Sequence, residues 1–195
     1  MSFLSQYQQW QNIQELQNER FICGFCSTSV SSVKGYGIYS QSGGKIVGGV
    51  YICPNCDGPV FLSPQNKQYP TAPLGKPVTN VPKELNELYE EARKCTSSNS
   101  FTAAVLICRK MLMNIAVSQG AKEGLKFIEY VNYLSDNSYI PPNGKHWVDH
   151  IRKRGNEATH EISLMSLQDA KELIIFVEML LRFIYEFPSM IPINP

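Results

Sequence analysis

Two stretches, FICGFC at residues 21–26 and YICPNC at residues 51–56, decide how the first third of this chain is read. Each places two cysteines three positions apart, so that one tight turn presents two thiolates to the same point while the intervening backbone amides face the sulfurs. Zinc takes four such ligands in a tetrahedron, and two knuckles supply them. Cys23, Cys26, Cys53 and Cys56 are therefore the expected zinc ligands. Twenty-six residues separate the pairs, rich in Ser, Gly, Val, Tyr and Ile and punctuated by Gly35, Gly37, Gly43, Gly44, Gly48 and Gly49. That is enough β-prone chain for the antiparallel strands of a zinc ribbon over residues 21–62. With every coordination position filled by protein, no place remains for a reactive water, and the zinc is expected to be structural. Gly24 and Pro54 suit the two turns.

The other two cysteines, Cys95 and Cys108, stand apart in helical sequence and read as small buried apolar residues. A thiol redox role for the paired cysteines needs a thioredoxin-like strand and helix context that this sequence lacks.

Upstream of the first pair, Phe3, Leu4, Tyr7, Trp10, Ile13 and Leu16 recur at helical spacing in a Gln-rich background. Residues 1–20 are expected to form a short amphipathic helix or an irregular arm. Downstream, residues 63–82 hold five prolines in twenty positions, a density that neither a helix nor a central strand tolerates. This stretch reads as the linker between two domains.

Beyond Pro82 the apolar spacing is helical. Pro82 suits a first helical position, followed by Leu85, Leu88, Tyr89 and Ala92 on one face. Ser98 or Asn99 is expected to cap a second helix whose stripe runs through Phe101, Ala104, Val105, Cys108, Met111, Leu112 and Ile115. A third spans about Gly124 to Ser135, and His146 to His160 form a fourth, polar one. Ser166 caps the last, from Leu167 to Phe187, apolar on most sides. The fold class is thus a small β zinc ribbon followed by an all-α bundle over 83–187, with an irregular tail at 188–195.

The formal charge of +1 excludes a global field that would draw the chain to nucleic acid or membrane. The N-terminus lacks a basic segment followed by an apolar core, and the apolar run Leu173 to Phe187 is broken by Glu178, Arg182 and Glu186. A cytoplasmic protein with no membrane partner is expected. On the ribbon, only Lys34, Lys45, Tyr36 and Tyr39 offer the basic and aromatic side chains that single-stranded nucleic acid requires.

All three histidines fall in KHWVDHIRKRGNEATH, residues 145–160. At helical spacing Arg152, Asn156 and His160 share one face. An imidazole can move the proton of a ribose 2′-hydroxyl near neutral pH and a guanidinium can stabilise a charged phosphorane, the minimum for metal-independent RNA cleavage. Asn156 could hold the phosphate or orient His160. The same residues could equally bond neighbouring helices and fix a junction in the bundle.

The order of paired knuckles, Pro-rich linker, YEEARKC (89–95), FTAAVLICRK (101–110) and IRKRGNEATH (151–160) resembles the bacterial family catalogued as domain of unknown function 4145. Its G-N-x-x-x-H element matches Gly155, Asn156 and His160, its preceding arginine matches Arg152, and its helical Arg-Lys pair matches Arg109 and Lys110. That family is similar to the HEPN superfamily of helical proteins, many of them ribonucleases of toxin and antiviral systems that place an Arg four to six residues before His. Arg154, with five residues between it and His160, stands at that spacing; Gly155 occupies the position after Arg where those nucleases carry a polar residue. The resemblance implies an HEPN-like bundle and a homodimer through the helical domain. The function expected is a module that binds nucleic acid or a protein partner in a bacterial defence or stress system, such as phage defence, with RNA as the candidate nucleic acid. The alternative is a metal-independent endoribonuclease using His160, Asn156 and either Arg152 or Arg154.

Overall fold

Strand pairing, and not helical spacing, governs the first part of the chain. In the computed structural model, which describes residues 2–141 and 164–190, five strands follow one another: β1 (Gln14–Ile22), β2 (Ser29–Tyr39), β3 (Ile46–Ile52), β4 (Pro59–Leu62) and β5 (Gln68–Tyr69). They form one antiparallel meander in the order β1-β2-β3-β4-β5. Phe21 pairs with Val30, Gly35 with Tyr51, and Tyr51 with Val60. One face of this sheet buries Leu16, Phe21, Tyr51 and Val60 together with the paired cysteines.

The amphipathic helix expected over residues 1–20 does not form. Residues 2–13 run as turns and bends and β1 begins at Gln14. Leu16, the last residue of the apparent helical stripe, is buried in the sheet core instead. Spacing of three or four apolar residues cannot exclude a strand when that strand carries a bulge, and β1 shifts register against β2 between Glu15 and Glu19. The Pro-rich stretch also contributes structure: Gln68 and Tyr69 make β5, and the Gln68 side-chain amide donates to the Ile22 carbonyl at 2.7 Å. The sheet thus curls until one side chain joins its two edge strands.

The chain divides into two compact units, Met1–Pro73 and Leu74–Pro195. The second is helical, with α1 (Lys83–Ser97), α2 (Phe101–Ser118), α3 (Phe127–Asp136) and α4 (Leu167–Leu181) among its described residues. Pro82 is the residue before α1 and not its first, its carbonyl accepting from the Asn86 amide. Ser100, one or two residues later than expected, precedes α2, because Asn99 sits at φ +61° and holds the turn between the helices. Ser166 caps α4 as its sequence predicts: its hydroxyl accepts from the Asp169 amide while the Asp169 carboxylate accepts from the Ser166 amide. α4 continues into a wider π turn, Arg182–Glu186, and a last helical turn, Phe187–Met190.

α2 is the centre of this unit, packing on α1, α3 and α4. By length and composition α2 could cross a membrane. Here its Ala104, Val105, Cys108, Met111, Leu112 and Ile115 lie in the unit's core, which accounts for that hydropathy.

Residues 74–81 form an irregular strap fastened through side chains of α1, α4 and the π turn that follows α4. Arg93, 2% exposed, donates to the carbonyls of Leu74 and Gly75, and the Tyr89 hydroxyl donates to the Lys76 carbonyl at 2.9 Å. Thr96 accepts from the Leu74 amide. From the other side, Glu178 accepts from the Lys76 amide, and Glu186 accepts from both the amide and hydroxyl of Thr79. Glu178 and Glu186 also pair with Arg182. Gly75 has φ +69°, and a Cβ there would lie 2.6 Å from the Tyr89 hydroxyl. The YEEARKC motif, in these terms, is a set of fasteners: Tyr89 and Arg93 hold the strap, and Glu90 pairs with Arg93.

Candidate metal centre

In a meander, the turns β1–β2 and β3–β4 emerge at the same end of the sheet, and each is a C-x2-C turn. Cys23 follows the last residue of β1 and Cys53 follows the last residue of β3. The two turns are built alike, thirty positions apart. The amide of Cys23 donates to the Thr28 carbonyl and that of Cys53 to the Gly58 carbonyl, each at 3.0 Å; the amides of Ser27 and Asp57 return to the carbonyls of Cys23 and Cys53, each at 2.9 Å. Ser27 and Asp57 both take φ +60°. Local similarity of this kind is below the length at which a sequence repeat is recognised.

The consequence is a cluster of four sulfurs, all within 4.8 Å of one another. Cys23 and Cys56 sulfurs are 3.7 Å apart and those of Cys26 and Cys53 are 3.8 Å apart. Tetrahedral zinc with Zn–S bonds of about 2.3 Å puts its sulfurs about 3.8 Å apart. The cysteines are free thiols, not disulfides. Donor type, number and spacing all suit zinc, and the cluster is compatible with a zinc site.

Its surroundings treat the sulfurs unequally. Cys23, Cys53 and Cys56 are buried and Cys26 is half-buried. Burial pushes the thiols of Cys23 and Cys56 up. At Cys26 burial acts in the same upward direction, but hydrogen bonds from Thr28 and Asn55 outweigh it and bring the thiol down to about 6. The Asn55 amide donates to the Cys26 sulfur at 3.4 Å, and the Phe25 amide to the Cys23 sulfur at 3.4 Å. Donors of this kind orient thiolates that hold a metal.

Gly24 is required in its turn because residues 70 and 71 pass directly over it. A Cβ would lie 2.6 Å from the Pro70 ring and 2.7 Å from the Thr71 carbonyl. The N-terminal arm covers the second turn: the Trp10 indole donates to the Asp57 carbonyl at 2.8 Å, and Phe3 packs between Trp10 and Phe25. Sequence spacing could not reveal this role for Phe3 and Trp10, since it depends on where the turns end up.

Among the described residues, the remaining candidates are not gathered into one site. Lys34 and Lys45 are exposed, while Tyr36 packs edge-on to Trp10 and donates its hydroxyl to the Gln11 carbonyl. Tyr39 is half exposed and donates to Gln14. Arg109 turns inward, its guanidinium 4.1 Å from the centre of the Phe127 ring, whereas neighbouring Lys110 points to solvent. Burial lowers the Arg109 pKa. Cys108 is fully buried, and desolvation drives its thiol up to about 12, as expected of an apolar space-filler. Cys95 is half-buried. Arg152, Arg154, Gly155, Asn156 and His160, with the fourth helix expected around them, lie outside the described residues.

Fold and site together define a class: a chain with an antiparallel sheet carrying a four-cysteine cluster, followed by a helical region. A family model described as Domain of unknown function (DUF4145) matches residues 90–190, just over half of the chain, and the chain belongs to that family. No curated protein and no solved structure matches it.

Proposed function

We propose that this protein is a binding module in which a zinc ribbon, held by Cys23, Cys26, Cys53 and Cys56, is joined to an HEPN-like helical domain, and that its ligand is single-stranded RNA. The observation that carries the metal part is the closed set of four sulfurs at tetrahedral spacing. Such a site stabilises a fold and leaves no open position for chemistry on the metal. Zinc supplies cross-linking energy here, and the chain's own donors at Asn55 and Phe25 orient the thiolates. The RNA part rests on the resemblance of the helical region to HEPN proteins, together with the exposed Lys34 and Lys45 side chains of the sheet unit. A bacterial defence or stress system is the setting the same resemblance favours, and homodimerisation through the helical domain is part of it.

The test is fluorescence anisotropy of labelled single-stranded RNA and DNA with zinc-replete, full-length protein across a salt series. Saturable RNA binding that weakens with rising salt is the expected result. Absence of binding to either polymer at low salt counts against the RNA reading and leaves a protein partner as ligand. The second reading, a metal-independent endoribonuclease using His160 and Arg152 or Arg154, is favoured by the confinement of all three histidines to residues 145–160. Its check is RNA incubation in EDTA: cleavage by wild type and not by His160→Ala establishes it, and no cleavage by either removes it.

A further inference from the structure

The sheet unit has a second feature, independent of its metal cluster. Where the curled meander fails to close, between β1 and the β4–β5 edge, lies a cavity of about 520 Å³. Phe21, Tyr51 and Leu62 contribute apolar surface to its lining. Tyr51 is 2% exposed, yet among the described residues its hydroxyl has no hydrogen-bond partner. Buried tyrosine hydroxyls ordinarily find one. No fully buried side-chain polar atom among the described residues lacks a partner, so this hydroxyl opens onto the cavity. Glu19 and Gln17 line the same space, Glu19 half-buried and offering only acceptors as a carboxylate. At the exposed rim stand Arg20 and Lys45, neither with an ion-pair partner among the described residues.

A ligand complementary to this arrangement presents two N–H donors to one carboxylate, an acceptor to a phenol, an apolar ring face to the wall and an anion to the rim. Among the nucleobases, guanine alone carries two adjacent N–H donors, at N1 and N2, beside an acceptor, O6. We propose that this cavity binds a single guanine nucleotide, with Glu19 reading the N1–N2 edge, the Tyr51 hydroxyl reading O6, and Lys45 and Arg20 receiving the phosphate. The volume is in the range of small-ligand sites, about 300–1,000 Å³. The inference rests on the single-stranded RNA reading above for the source of that nucleotide, but the pocket chemistry is the same for a free one.

The experiment is isothermal titration of zinc-replete full-length protein with guanosine, adenosine and cytidine 5′-monophosphates and with inorganic phosphate, for wild type, Glu19→Gln and Tyr51→Phe. Tyr51→Phe keeps the ring and the packing, and far-UV circular dichroism with zinc content confirms that both variants are folded. Saturable binding of the guanine nucleotide, at least about tenfold tighter than the adenine one and weakened about tenfold or more by Glu19→Gln, is expected. Binding of all three nucleotides equal to that of phosphate, or unchanged binding in Glu19→Gln, overturns the proposal. So does the absence of any nucleotide binding at millimolar concentration. A parallel titration with a guanine-containing single-stranded RNA separates the two ideas. RNA binding indifferent to Glu19→Gln sinks the pocket and keeps the RNA reading, whereas binding of the mononucleotide without the RNA keeps the pocket and sinks the RNA reading.

Discussion

Glu186 is 4% exposed, and its position decides much of how the strap at residues 74–81 is held. The Thr79 amide, the Thr79 hydroxyl and the Arg182 guanidinium all favour its charged form, and its pKa lies below the ordinary carboxylate value. A carboxylate depressed in the folded state contributes stability that is present above the unfolded pKa, about 4.3 for Glu, and is lost as pH falls through the folded value. The helical unit is therefore expected to lose stability on acidification below that point. Urea melts followed at 222 nm from pH 6 to 3 should show the loss, and Glu186→Gln should flatten it. A second residue-scale prediction concerns Gly75. With φ +69° and no room for a Cβ beside Tyr89, Gly75→Ala should cost about 2 kcal/mol or more in the same melts. Tyr89→Phe, which removes only the bond to the Lys76 carbonyl, should cost about 1 kcal/mol. Equal costs for the two would mean that the strap relaxes around the new methyl.

At the scale of elements, the cysteine cluster belongs to two hairpin turns and to neither alone. Cys53→Ser removes one ligand of four and leaves three sulfurs around the site. Zinc bound per chain, measured by atomic absorption after extensive dialysis, should fall well below one in this variant and stand at one in wild type. Cys95→Ser, on α1 and outside the cluster, should keep wild-type stoichiometry. The arm over the second turn supplies a reporter. Trp10 is fixed by its bond to the Asp57 carbonyl and by its contacts with Phe3 and Tyr36. In a Trp147→Phe background, chelation should move Trp10 emission to longer wavelength as the turn loosens. Unchanged emission on loss of zinc would mean that the arm holds its place without the metal.

On the scale of the whole molecule, each unit carries its own core, one around Tyr51 and Val60 and one around Met111, Leu112 and Ile174. The first is small, and small cores usually need a metal or disulfide to persist. Removing zinc with a strong chelator is expected to unfold the sheet unit while the helical signal at 222 nm keeps most of its amplitude. Loss of both signals together would show that the helical unit depends on the sheet unit for its fold.

Some of this organisation was legible in the chain before any coordinates. The four cysteines identified their own site, because a C-x2-C turn is a local device and two of them with β-prone sequence between admit few arrangements. The helical character beyond Pro82 and the Ser166 cap were equally local, carried by apolar spacing and by a hydroxyl three residues from a carboxylate. What sequence alone misjudged lay wherever one segment's structure depends on another. Residues 1–20 read as an amphipathic helix or an arm by spacing, yet from Gln14 onward the backbone pairs with β2 and Leu16 enters the sheet core. The Pro-rich stretch read as a linker, yet its first residues add β5 and its last become a strap whose partners, Glu178 and Glu186, lie about a hundred positions away. The Arg109–Lys110 pair read as one feature, and helix geometry with the ring of Phe127 turned the two apart. Local chemistry and periodicity are written along the chain, so sequence determined the cluster, the Ser166 cap and most of the helices. The strap, the covered turn and the cavity beside Tyr51 require distant segments to meet, and only tertiary packing decided those.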